Sequence, residues 1–173
     1  MGNLFARGLG KALLGAAIIA TAIAVTPASA EVELKRGFGA SPDTLDPHVN
    51  FGAREGWIQD DMYEGFVSYD TKGGFLPGAA EKWEVSDDGL TWTFHLREGL
   101  KWSNGDPLVA QDYVNGVIRQ LEPKTASPRG YYFYSTIQIP GAKEFAEKDG
   151  NDPKTVGITA PGGRTVVIKL PHP

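Results

Sequence analysis

Apolar and polar residues alternate most cleanly at Leu90–Leu96. Trp92, Phe94 and Leu96 fall on one side, and Thr91, Thr93, His95 and Arg97 on the other. This period of two predicts a strand with one face in a core. Lys82–Val85 precedes it, and "SDDG" (Ser86 to Gly89) lies between, with a glycine placed to supply positive φ, so a hairpin is expected. A 3.6-residue period takes over at Ala110–Leu121: Ala110, Tyr113, Val114, Val117, Ile118 and Leu121 make one stripe. Asp106 before Pro107 starts the turn into this helix, and Pro123 ends it. Val109 stands where a capping side chain belongs, an omission of about 1 kcal/mol unless Asp106 caps.

Weaker patterns fill the remainder. Val32–Phe38 and Phe66–Asp70 read as strands, the second turning at "TKGG" (Thr71 to Gly74). Ser41–His48 is irregular, with two prolines and two aspartates. Arg54–Tyr63 has helical spacing at Trp57, Ile58, Asp61 and Met62, with Gly65 as the stop. Thr125–Thr136 is aromatic but aperiodic, which predicts an irregular, exposed segment. A short helix is expected over Ala142–Lys148, then a hairpin over Lys154–Leu170 turning at "PGG" (Pro161 to Gly163).

Residues 1–30 break from this rhythm. Arg7 and Lys11 precede the apolar run Ala12–Val25, and "ASA" (Ala28 to Ala30) closes it, the form of a secretory signal cleaved after Ala30. The run is short for a membrane span, which needs roughly 20 apolar residues. Removing Arg7 and Lys11 takes the formal charge from −4 to −6, against a nucleic-acid partner. The 173 residues are enough for one ordinary domain, and without a cysteine the exported part is held by its core, with neither disulfides nor a lipid-bearing cysteine. A periplasmic monomer without a membrane anchor is the expectation. The last strand is barely complete at "PHP", which reads as a chain cut short.

Catalytic chemistry finds little support. A cysteine nucleophile is excluded, and no serine sits in a Gly-x-Ser-x-Gly elbow. His48, His95 and His172 are 47 and 77 positions apart, with no close pair for a metal. Asp60 and Asp61 would point about 100° apart on a helix, as a solvated acidic face does. "KGGF" and "PGGR" lack the strand-to-helix setting of a phosphate loop. No catalytic residue, metal or cofactor is assigned. An exported hydrolase, or a small interaction module working at this length, remains as the alternative.

Five blocks stand out: "TLDPH" (Thr44 to His48), "YEGFVSYD" (Tyr63 to Asp70), Leu76–Val114 with its core "WTFHLREGLKWSNGDPL", "EPKTASP" (Glu122 to Pro128) and "TVVIKLPHP" (Thr165 to Pro173). Together they resemble the family 5 extracellular solute-binding proteins of bacterial ABC importers, the oligopeptide-binding proteins above all. The resemblance implies a three-lobed α/β fold of the periplasmic-binding-protein type, type II. Residues 31–63 would be the first segment of large lobe I, and residues 64–173 a nearly complete small lobe II. The rest of lobe I, and lobe III, would be missing. It also implies a peptide or related solute held between lobes, and permease subunits of an importer as partners. The cleft residues it implies are Asn50, Phe51, Gly52, Ala53, Arg54 and Glu55, with Arg129, Tyr131 and Tyr132. Here the chain departs from its relatives. Phe51 stands where several carry an acid, and Arg129 where tyrosine is common near the ligand amino terminus. A guanidinium repels an ammonium, so Arg129 is left to an acidic ligand group or to solvent.

Overall fold

The computed structural model describes Glu33, Lys35, Gly37 and residues 39–148 and 151–173. The signal segment, residues 1–30, lies outside them. Two compact units divide the chain, residues 1–37 and residues 38–173. In the first, Glu33, Lys35 and Gly37 have no regular structure. The strand expected over 32–38 is therefore absent at those three positions, and its remainder lies outside the described residues.

Residues 38–173 mix helix and sheet. Helix α1 is Ala53–Met62. Strands β1 (Val67–Tyr69) and β2 (Phe75–Pro77) form a small antiparallel hairpin. The Asp70 carboxylate organises its turn by accepting from the Lys72 and Gly74 amides, both at 2.7 Å. Strands β3 (Ala80–Val85), β4 (Thr91–Leu96), β5 (Ile158–Gly162) and β6 (Thr165–Lys169) form the main sheet in the order β3-β4-β6-β5, every pairing antiparallel.

The register explains the face. Phe94 pairs with Trp83 and Val166, Trp92 with Val85 and Ile168, and Leu96 with Ala80. Helix α2 (Ala110–Leu121) lays its apolar stripe on this side, bringing Ala110, Val114 and Leu121 into one core with Leu96, Val156, Ile158 and Val166. Helix α3 (Ala142–Glu147) adds Ala142 and Phe145. Phe66 lies between Phe94, on which it stacks, and the tilted ring of Tyr113, with each ring centroid 4.6 Å from its own. Burial there, with Glu64 nearby, pushes the Tyr113 phenol up to about 12.

Three local expectations are corrected. Asp106 does not cap α2; it accepts from Asn104 in the preceding turn. Asp112, three residues into the helix, accepts from the Val109 amide at 2.9 Å, supplying the carboxylate half of a capping box. The second hairpin starts at Ile158 instead of Lys154, because Pro153–Thr155 is a 3-10 turn with Asp152 accepting from the Lys154 amide. Its reversal lies at Gly163–Arg164, since Pro161 stays in β5, an edge strand with a register shift between Thr159 and Gly162.

Two bidentate arginine pairs tie loops to this body. Arg97 holds Glu64 at 2.7 and 2.8 Å and also donates to the Gly78 carbonyl. Arg119 of α2 holds Asp46 at 2.6 and 2.8 Å and touches His48 Nδ1. These bonds keep the Asp46 carboxyl well below the usual carboxylate range. Burial first, and then the Arg119 cation, hold His48 below its ordinary 6.5, outweighing the pull of Asp46. A lowered folded-state value means that protonating His48 favours the unfolded chain. Its contribution to stability is complete above about pH 6.5 and is lost as pH falls through the folded-state value. Thermal unfolding between about pH 8 and about pH 5.5 is expected to show this decline, and His48→Gln to flatten it. An equal slope in the variant would remove His48 as the cause.

Candidate functional site

The loop before α1 and the segment after α2 meet. Residues 126–138 leave α2 through a 3-10 turn, Pro123–Thr125, and pass Ala126 at φ 49°. Arg129 N donates to Ser127 Oγ at 3.3 Å, and Gly130 then lies against α2. A β carbon on Gly130 would sit 2.8 Å from the Gln120 carbonyl, so only glycine permits this approach. The chain continues into a π turn, Tyr132–Thr136, closed by Ile137 N donating to the Tyr132 carbonyl at 2.8 Å. Gln138, at φ 61°, ends it, and Ile139 N donates to the Phe133 carbonyl at 2.8 Å. This corrects the irregular reading of Thr125–Thr136. Tyr131 and Tyr132 are exposed, while Phe133 and Tyr134 pack on the core.

A cavity of about 440 Å³ opens where these pieces meet, lined by Phe51, Gln120, Arg129, Tyr132 and Phe133. Arg129 spans it: Nη2 donates to the Phe51 carbonyl at 3.2 Å, and its guanidinium carbon lies 6.0 Å from the centre of the Phe51 ring. Phe51 itself is 68% exposed. Tyr131 and Tyr132 stack at 4.5 Å. A hydrogen bond with Tyr132 pushes the Tyr131 phenol up, against the nearby Arg129 cation.

Of the residues singled out in the sequence, the cavity thus gathers Phe51, Arg129 and Tyr132, with Tyr131 stacked alongside. Asn50 and Glu55 are buried, at 2% and 3% exposure. Both polar atoms of the Asn50 amide and one Glu55 oxygen, Oε2, have no hydrogen-bond partner. The other Glu55 oxygen accepts from the Asp43 amide at 3.2 Å. Its own amide, at the start of α1, and then the amide of Asp43 in the preceding loop lower the Glu55 carboxyl. Gly52 and Ala53 begin α1. Arg54 is turned elsewhere, donating to the Ser41 carbonyl at 3.3 Å. Gln120 and Phe133 were not anticipated. Gln120 is a polar residue beside the helix stripe, and nothing local distinguishes it from a solvated position.

An antiparallel sheet covered by an amphipathic helix thus carries an open, aromatic cavity with one cation in its lining. The model of bacterial extracellular solute-binding proteins, family 5 Middle, matches residues 74–173, and the chain belongs to that family. It is 40% identical over 136 residues to "Periplasmic oligopeptide-binding protein OppA" of Haemophilus influenzae, covering 78% of this chain and 25% of the relative. It is 37% identical over 149 residues to "Probable deoxycholate-binding periplasmic protein YgiS" of Escherichia coli, covering 86% and 27%. Among solved structures, Haemophilus influenzae OppA in complex with RPPGFSPFR matches with a TM-score of 0.73 and 39% identity, over 79% of this chain and 26% of the other. The fold is that of the periplasmic peptide-binding proteins, and the chain spans about a quarter of the length of these relatives. No helix among the described residues is long and apolar enough to cross a membrane.

Proposed function

We propose that this chain supplies one wall of the ligand cleft of a periplasmic peptide receptor that serves an ABC importer. The observation that carries the reading is the cavity at Phe51, Arg129 and Tyr132, built on a lobe whose fold matches a receptor in complex with RPPGFSPFR. Residues 1–30 direct export and are removed. Residues 31–63 begin the large lobe, and residues 64–173 make a nearly complete small one. The ligand is a peptide or related solute lying extended along the wall. Main-chain groups shared by all peptides give affinity with little sequence preference. Nothing is transformed: closure over the ligand makes a shape that the permease reads. No cofactor takes part, and the receptor works as a monomer.

One wall alone holds ligand weakly, because the opposing contacts come from elsewhere in such a receptor. The test is therefore a chimera in which residues 38–173 replace the matched stretch of Haemophilus influenzae OppA. Isothermal titration with a mixed pool of short peptides is expected to give micromolar binding. A chimera that folds, by circular dichroism and scattering, yet gives no heat with the pool would overturn the reading.

A further inference from the structure

Three arginines after α1 have carboxylate partners, Arg97 with Glu64, Arg119 with Asp46 and Arg164 with Glu98, while Arg54 in α1 donates to the Ser41 carbonyl. Arg129 has none within 4 Å among the described residues. Its one side-chain bond goes to a neutral acceptor, the Phe51 carbonyl, and a guanidinium carries five N–H donors. The rest of the fork faces a cavity walled by Phe51, Tyr132 and Phe133, with the Gln120 amide as a second polar group. The segment holding it is bracketed by two non-glycine residues at positive φ, Ala126 and Gln138, and contains a π turn. Such conformations are disfavoured by 1 kcal/mol or more each and gather at ligand sites. Within this segment Gly130 approaches the Gln120 carbonyl of α2, next to Arg129.

We infer that Arg129 is a specificity residue that reads a carboxylate on the ligand, one attached to an apolar or aromatic body that lies against Phe51, Tyr132 and Phe133. A planar guanidinium fork matches a carboxylate in a bidentate way. An ammonium at the same place meets a cation and, among the described residues lining the cavity, no compensating acid. Aromatic walls beside a single positive charge suit the body of an aryl or branched side chain next to its acid. The inference rests on the cleft reading above, and the two fail separately.

The experiment uses the 173-residue chain and three probes of one shape: N-acetylphenylalanine, its neutral amide, and phenethylamine. Amide and side-chain resonances of Phe51, Gln120, Arg129 and Tyr132 are followed by NMR during titration. The acid is expected to shift them with a dissociation constant in the millimolar range, about tenfold below that of the amide, with no response to the amine. Raising the salt to about 0.5 M should weaken the acid alone. Arg129→Gln should make acid and amide equal, while Arg129→Lys, which keeps the charge without the fork, should lie between. Spectra of the free variants establish that both fold. Equal affinity for acid and amide, or an acid preference that survives Arg129→Gln, would sink the inference and leave the cleft reading intact. So would a stronger response to the amine. Probes that leave all four residues unmoved also overturn it, and the chimera then decides the cleft reading independently.

Discussion

Leu96→Ala is expected to lower stability by about 3 kcal/mol, seen as a drop of roughly 10 °C in the thermal midpoint. Leu96 is 1% exposed and among the largest fully buried side chains of the described residues. It ends β4, pairs with Ala80, and belongs to the core that joins the sheet to α2 and α3. Truncation removes three carbons from a site walled by three elements. Its backbone is fixed as well, since Leu96 N donates to the Arg164 carbonyl at 2.8 Å. The surroundings therefore cannot collapse to fill the space, and a cavity term adds to the lost transfer energy. Val85→Ala is the matched control. Val85 lies on the neighbouring strand, but it is exposed and should lose less than about 1 kcal/mol. Urea unfolding of both variants reads the difference. Equal losses would mean that the core does not centre on the junction of β4 with α2.

That junction was legible because both partners obey a local period. The alternation of Trp92, Phe94 and Leu96 and the stripe from Ala110 to Leu121 each state which face is covered, and the covering follows. "WTFHLREGLKWSNGDPL" is thereby scaffold: a core strand, a turn and the approach to a helix. The cavity was legible only as a set of residue names. Phe51 and Arg129 are linked by one hydrogen bond across 78 positions, and Arg119 and Asp46 by an ion pair across 73. No window of sequence contains such a contact. The π turn escaped for a related reason. Its bonds run over five residues instead of four, and what holds it is Gly130 against Gln120 and Ile139 N against Phe133. Strand β2 was missed because Phe75, Leu76 and Pro77 are all exposed and end in proline, so no burial pattern marks them. Gly65 did not stop α1; the helix ends at Met62, where Tyr63 turns extended at φ −121°.

Gly141→Ala is expected to cost about 3 kcal/mol or more and to loosen the cavity from a distance. Gly141 precedes α3 at φ 73°, where an L side chain alone costs about 1–2 kcal/mol. A β carbon would also lie 2.1 Å from the Thr155 carbonyl oxygen and 2.8 Å from its carbon. Both are backbone atoms, and they cannot swing away as a side-chain tip can. Gly157 N donates to the Pro140 carbonyl at 2.7 Å, and Val156 is buried next to it, so the two chain segments are locked together. Relief must come by parting residues 139–142 from 155–157. That movement would drag Ile139, buried at 3% exposure, whose amide holds Phe133 of the cavity wall. Gly163→Ala is the contrast: the space around Gly163 is open, and the change should be worth less than about 0.5 kcal/mol. Denaturant unfolding ranks the two variants, and the NMR shifts of Phe51, Arg129 and Tyr132 report the wall. The strongest result would be a Gly141→Ala protein that still folds but has lost the acid-over-amide preference, since Gly141 itself does not line the cavity. A loss below about 1 kcal/mol with those shifts unchanged would show that the crossing yields, and that the wall does not depend on it.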